Sequence, residues 1–235
     1  RDEGDLAGAK AAFERALKID ETIFRQDHPS IARDVNNLGS VLQDLGDHVG
    51  AKVAFERALK IWEASLGPEH PQVATGVNNL GLMLRSAGDL AGAKAAYERA
   101  LKIDEAAFGP NHPNVAIRIN NLGSVLQDLG EHAGAKAAFE RALKIFDLVF
   151  GENHPNVATT VSNLGLVLGA LGDHAGAKAA FERALKIDET TFGTVHSSVA
   201  RDVNNLGSVL QALGDHAGAK AAYKRALGIF EKFLP

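Results

Sequence analysis

Nine histidines in a chain of 235 residues invite a metal reading. They occupy two repeated places. His28, His70, His112, His154 and His196 each precede a new periodic segment, and His48, His132, His174 and His216 each follow a Gly-Asp or Gly-Glu pair. Zinc ligands converge on one ion at about 2.0–2.1 Å, whereas equivalent residues of a repeating chain lie about a repeat apart. No His-x-x-x-His pair exists, and Leu6 and Leu90 fill two of the turn positions. These histidines read as caps and turn residues, so no metal and no other cofactor is expected. The 24 glycines form no phosphate cradle, because no strand is predicted for one to follow. No Ser/His/Asp set or carboxylate pair stands out from the repeating background. Cysteine is absent, which removes thiolate metal sites and Cys nucleophiles. Catalysis is not expected.

The elements that carry these residues come from an ordinary globular composition, 46% hydrophobic and 23% charged. A formal net charge of −4 argues against nucleic acid, whose phosphates require clustered Lys and Arg. No apolar run approaches the roughly 18 residues of a membrane helix, so no membrane partner is expected. The lack of cysteine and of a signal peptide fits a cytoplasmic protein. The chain opens at Arg1 inside a periodic segment, as a fragment of something longer would.

The dominant signal is an internal repeat. The first four of the linker histidines precede Pro and fall 42 residues apart; His196-Ser197 keeps the register without the Pro. Asn-Asn-Leu-Gly at 36–39 returns at 78–81, 120–123 and 204–207, and as Ser-Asn-Leu-Gly at 162–165. "GAKVAFERALKI" at 50–61 has counterparts starting at Gly8, Gly92, Gly134, Gly176 and Gly218. Each unit reads as two helices. His28 caps helix A, Pro29 suits its first turn, and Gly46 supplies a left-handed stop after Leu45. Asp47 then caps helix B, whose stripe is Ala51, Phe55, Ala58, Leu59 and Trp62, ending near Leu66. Residues 1–27 form a half repeat with one B helix, and repeats follow at 28–69, 70–111, 112–153, 154–195 and 196–235. The fold class is all-α, with about eleven helices from five A–B pairs and the N-terminal B helix, in one solenoid over 1–235.

Leu38-Gly39, Gly46-Asp47, Ala51, Phe55 and Ala58 at these spacings resemble tetratricopeptide repeats (TPR). The 42-residue period, the "GPNHPNVA" linker and "RALKI" resemble the long-helix subtype of kinesin light chains and bacterial arrays. The resemblance implies a right-handed superhelix whose A helices line a concave groove for extended peptides or partner proteins. Kinesin light chains usually carry Ala at the place of Gly39, and the heptad segment that attaches them to a motor has no counterpart, so cargo transport is not implied.

At 100° per residue, Val35, Leu38, Leu42 and Leu45 share one side of helix A, with Arg33, Asn36, Ser40 and Gln43 roughly opposite. The expected peptide-binding groove therefore comprises Arg33, Asn36, Ser40 and Gln43, then Asn78, Leu82 and Arg85, then Asn120, Ser124 and Gln127. Leu166, Asn204, Ser208 and Gln211 complete it. Asn36 and its counterparts would offer donor and acceptor to a ligand backbone; the alternative is a solvated polar face. Asn37 and its counterparts, on a flank, are expected to bond the adjacent repeat. Gly39 and its counterparts are expected to let a neighbouring backbone approach. The "FERALK" runs read as a solvated face with weak four-residue pairs such as Lys52–Glu56.

Some positions alternate with an 84-residue period. After "LKI" stand Asp20, Trp62, Asp104, Phe146, Asp188 and Phe230, while helix A alternates Ser40, Leu82, Ser124, Leu166 and Ser208. A duplicated two-repeat block explains the alternation. A buried Asp on an apolar stripe nevertheless needs a partner, so ion pairs Asp20–Arg33, Asp104–Arg118 and Asp188–Arg201 are expected, with aromatic packing at Trp62 and Phe146. Leu82 and Leu166 would form apolar spots on the order of 20 Å apart. The expected function is a scaffold binding an extended peptide or protein partner, without chemistry of its own. The alternatives are an architectural array, self-associating end to end through unpaired terminal helices, or the sensor arm of a larger signalling protein.

Overall fold

A histidine opens each A helix and a glycine closes it, so the punctuation of the chain sets its elements. The computed structural model describes residues 3–233. The residues up to Pro110 form one unit of five helices: α1 (Glu3–Ile23), α2 (Pro29–Asp44), α3 (His48–Leu66), α4 (Pro71–Ser86) and α5 (Leu90–Phe108). From Asn111 a second unit holds α6 (Pro113–Asp128), α7 (His132–Phe150), α8 (Pro155–Ala170), α9 (His174–Phe192), α10 (Ser197–Ala212) and α11 (His216–Phe230). A 3-10 turn at Glu231–Phe233 follows. No strand occurs among the described residues. The even-numbered helices are the A helices. Each packs on the B helix that follows it, and within each unit successive A helices also touch.

The caps are those the sequence predicts. The Ser30 N–H donates to His28 Nδ1 at 3.2 Å, and His70, His112, His154 and His196 cap their helices in the same way. An accepting Nδ1 places the neutral ring's proton on Nε2. At His28, His154 and His196 the ring has a second use, since it stacks on an aromatic residue at or just past the end of the preceding B helix. Centroids lie 4.0 Å apart for Phe24–His28 and 4.3 Å apart for both Phe150–His154 and Phe192–His196. The linker histidines thus fasten one helix to the next. At the other end of α2, Gly46 has φ +79°, and the Asp47 N–H reaches back to the Leu42 carbonyl at 2.9 Å. This left-handed close favours glycine, which has no Cβ to clash. Asp47 Oδ1 then accepts from the Gly50 N–H at 2.9 Å. Glu131, one methylene longer, makes no such side-chain bond at the start of α7.

Inside each pair, a B-helix ring lies on an A-helix glycine. A Cβ added to Gly39 would stand 2.9 Å from Phe55 Cε1, and Tyr97, Phe139, Phe181 and Tyr223 take the same place over Gly81, Gly123, Gly165 and Gly207. Close approach was expected here, but a ring makes it rather than a backbone. Around this contact Ile31, Val35, Leu42, Ala51 and Ala58 are buried, while Leu59 packs against the cluster from its edge. Leu38 is half-buried and Leu45 exposed, so the expected four-residue core stripe of α2 is shorter than the wheel suggests. Leu45 is the C-cap, beyond the reach of α3. The aromatic junctions form as expected: Trp62 and Phe146 are buried, and Trp62 lies against Gly76 of α4.

A prediction follows for Gly123. Adding a methyl group 2.8 Å from Phe139 Cε1, in a ring position with no exposure, overpacks the pair. Gly123→Ala should lower stability by about 1–3 kcal/mol, even though Ala gains roughly 0.5–1 kcal/mol of helix propensity. Urea unfolding followed by circular dichroism measures the sign.

Candidate functional site

The A helices have two jobs, because each contacts its own B helix and also its neighbouring A helix. The second contact is polar. Asn79 Nδ2 donates to Asn36 Oδ1 at 3.0 Å, joining α4 to α2. In the second unit, Thr160 Oγ1 donates to Asn120 Oδ1 at 3.2 Å, and Ser162 Oγ donates to Asp202 Oδ1 at 2.8 Å. This corrects the placement of the asparagine ladder. Asn36 is 7% exposed and Asn78 5%, so these two do not project from the A-helix face. Asn120 is half-buried, while Asn204 on α10 is exposed. The expected inter-repeat role of the Asn37 register is met by Asn79, whose partner is the very Asn36 assigned to the ligand.

Of the expected aspartate–arginine pairs, the one at Asp20 forms and the one at Asp188 does not. Arg33 comes within 3.9 Å of Asp20, as the sequence predicts, but lies closer to its own neighbour Asp34 at 3.0 Å. Arg201 pairs with Asp202 at 3.4 Å instead of Asp188. A carboxylate one residue away captures the guanidinium before one across the loop can. Asp202 is left fully buried near the like charge of Asp188, itself buried on α9. Burial pushes its carboxyl from 3.8 up to about 6, against the lowering effects of Ser162 and Arg201 and with a further push from Asp188.

On the opposite side, B helices are joined by a ladder that the sequence reading missed. Arg57 reaches Glu21 at 2.6 Å, Arg99 reaches Glu63 at 2.6 Å, and Arg183 reaches Asp147 at 3.1 Å; Arg225 pairs with Glu189. The expected pairs within helices also form, at 3.9 Å for Lys52–Glu56. The ladder's signal was a constant separation of 36 residues between acid and arginine. Such half-exposed pairs are worth about 0–1 kcal/mol each.

What remains open on the A helices is a row set apart from these seams. Arg33 and Ser40 are exposed on α2 with Gln43 half-buried, and on α4 Leu82 is 37% exposed beside a half-buried Arg85. In the second unit Ser124 and Gln127 are half-buried, Leu166 is 40% exposed, and Ser208 and Gln211 are exposed. Ser40 and Ser124 turn their hydroxyls to backbone carbonyls of their own helices, Asn36 O and Asn120 O. These hydroxyl, amide, leucine and guanidinium side chains offer apolar contact, hydrogen bonding and positive charge to a neighbouring chain. No described helix is long and apolar enough to cross a membrane.

A family model described as tetratricopeptide repeat matches residues 34–106, 77–147, 116–190 and 162–232, and a second of the same description matches 1–23. The chain belongs to the tetratricopeptide repeat family. Solved structures share its fold. BtubC (BKLC) from P. vanneervenii superimposes with a TM-score of 0.82 at 25% identity, over 97% of this chain and 92% of that one. A Podosopora anserina protein described as a kinesin light chain with nearly identical TPR-like repeats gives 0.73 at 22%, over 88% and 98%. MamA gives 0.57 at 22% identity, over 83% and 95%. No curated protein matches the chain in sequence. These tetratricopeptide repeats thus combine a polar A-helix seam, a charged B-helix ladder and a solvent-facing set of A-helix side chains.

The Asp202 junction gives a pH test. The folded chain holds that proton more tightly than the unfolded chain, so its contribution to stability falls as pH rises from about 4 to about 6 and stays low above. Asp202→Asn should therefore be more stable than the natural chain at pH 7.5, on the order of 1–3 kcal/mol, with the gap closing toward pH 4. Denaturant midpoints of both proteins across that range check it.

Proposed function

We propose that the chain is a non-catalytic scaffold that binds an extended segment of a partner protein along its A-helix row. Tetratricopeptide repeats are protein-interaction modules, and the coarse reading rests on that membership. The finer reading rests on one observation: the register is exposed at Ser40, Leu82, Leu166 and Ser208 and partly exposed at Ser124, although buried side chains flank it in every A helix. A leucine kept at a solvent-facing place contributes little to the fold and gains by being covered. Arg33, Gln43, Arg85, Gln127 and Gln211 extend the row, and Asn204 joins it on α10. Asn36 and Asn120 act from behind it, each bonded to the next A helix of its own unit. The partner is a protein or peptide, with no nucleic acid or membrane.

A peptide array probed with the natural chain and with Leu82→Ser provides the test. The variant should keep its helical spectrum and lose roughly tenfold affinity, about 1.4 kcal/mol, for peptides that contact the first unit. Unchanged affinity for every selected peptide would remove Leu82 from the row.

An architectural reading has its own support. Ile19, Ile23 and Phe24 are exposed on and just after α1, and Leu227 and Phe230 on α11. Apolar patches of this kind favour association of one molecule with another. Light scattering from 1 to 100 μM, taken as an order-of-magnitude range around the micromolar affinities of transient contacts, separates the two: mass constant with concentration excludes the array.

A further inference from the structure

We infer that the second unit carries a specificity pocket that takes one large apolar side chain of the bound peptide; the inference rests on the peptide-binding reading above. The pocket lies between α8 and α10 over α9 and has a volume of about 210 Å³. Two departures from the repeat line it, beside a leucine of its 84-residue alternation. Gly169 stands where the other A helices have Gln43, Arg85, Gln127 and Gln211, so a long polar side chain is missing from its wall. Ala212 takes the register of Asp44 and Asp128, which removes a carboxylate. Leu166 replaces the serine of Ser124 and Ser208, adding an apolar wall.

Phe181 and Val209, both buried, close the remaining apolar side. The half-buried Asn205 carboxamide and the exposed Ser208 hydroxyl stand at the rim, where they can bond the backbone of an entering chain. No Asp, Glu, Lys or Arg lines the pocket, and α8 carries none along its whole length. His174 is the one titratable side chain on the lining, so a cationic side chain entering the pocket would lose hydration without gaining a counter-ion. The size selects the occupant. Small-molecule sites usually measure roughly 300–1,000 Å³, whereas a cavity of about 150 Å³ holds one benzene. A pocket of this volume suits a single Leu, Ile, Met or Phe side chain.

The place of Gly169 makes the pocket testable without damage to the fold. A Cβ there would meet nothing nearer than Ala177 Cβ at 3.9 Å, an ordinary contact. Gly169→Gln restores the residue of the neighbouring A helices and fills the space. Ala212→Asp, the second variant, restores the carboxylate of Asp44 and Asp128. The probe is a positional-scanning library of acetylated dodecapeptides, screened against the full chain and both variants, each checked for its helical spectrum.

The natural chain should select Leu, Ile, Met or Phe at one position at least tenfold over Asp, Lys and Ala. Both variants should lose that selection at least tenfold while keeping the preferences at other positions. Peptides selected without such an anchor, or an anchor that both variants keep, overturn the pocket and leave groove binding standing. A library from which the natural chain selects nothing overturns both.

Discussion

The seating of one aromatic ring on one glycine is the contact on which each repeat depends. A B-helix ring such as Phe55 needs a flat place on the A helix, and a side chain at position 39 would hold the helices apart. Glycine there costs helix propensity, and burying a whole ring, together with the alanines around it, outweighs that cost. Because Ala51, Ala54 and Ala58 are small, the two backbones come close and the ring has a single seat. Tyr in place of Phe at Tyr97 and Tyr223 leaves the geometry unchanged, since the contacting atoms are the ring carbons the two residues share.

Once a pair is formed, its other faces must be covered, and the chain does so with two different chemistries. A helices meet through short polar groups, Asn36 with Asn79, Asn120 with Thr160, and Ser162 with Asp202. Such bonds are made between buried or half-buried groups, so leaving one unmade costs more as its burial grows. They fix the register of neighbouring repeats more firmly than a sliding apolar face would. B helices meet instead through long arginines and acids that remain half in water, and these add little energy apiece. The polar seam orders the array, and the charged ladder trims it.

The same logic separates binding from structure on the A helix. A groove residue must be both exposed and unused, and the seam uses up the asparagines that look best suited to a peptide backbone. What the seam leaves exposed is Ser40, Leu82, Leu166 and Ser208. In the second unit, the loss of a glutamine at Gly169 and of an aspartate at Ala212 opens this row into a hollow. Small departures from a repeat therefore matter more for recognition than the repeat itself, because every copy of an unchanged unit presents the same surface.

Period, caps and pair packing were legible in the sequence. His28, Gly46 and Asp47 act through bonds to residues two to five positions away, and local chain geometry settles such bonds wherever the helix goes. The ring-on-glycine contact was half legible, for Gly39 announced close packing without naming Phe55 as the neighbour. The fate of Asn36 was not legible. A helical wheel has one inside and one outside, whereas these A helices have two buried faces, and the second is built of Asn, Ser and Thr that look solvated. The partners of Arg33 and Arg201 were likewise set by competition between near and distant carboxylates, which spacing cannot rank. The sequence by itself determined eleven helices in capped pairs, because those follow from bonds within a few residues. Tertiary structure decided which polar residues are spent between repeats and which stay free to bind, because that depends on where the next helix lies.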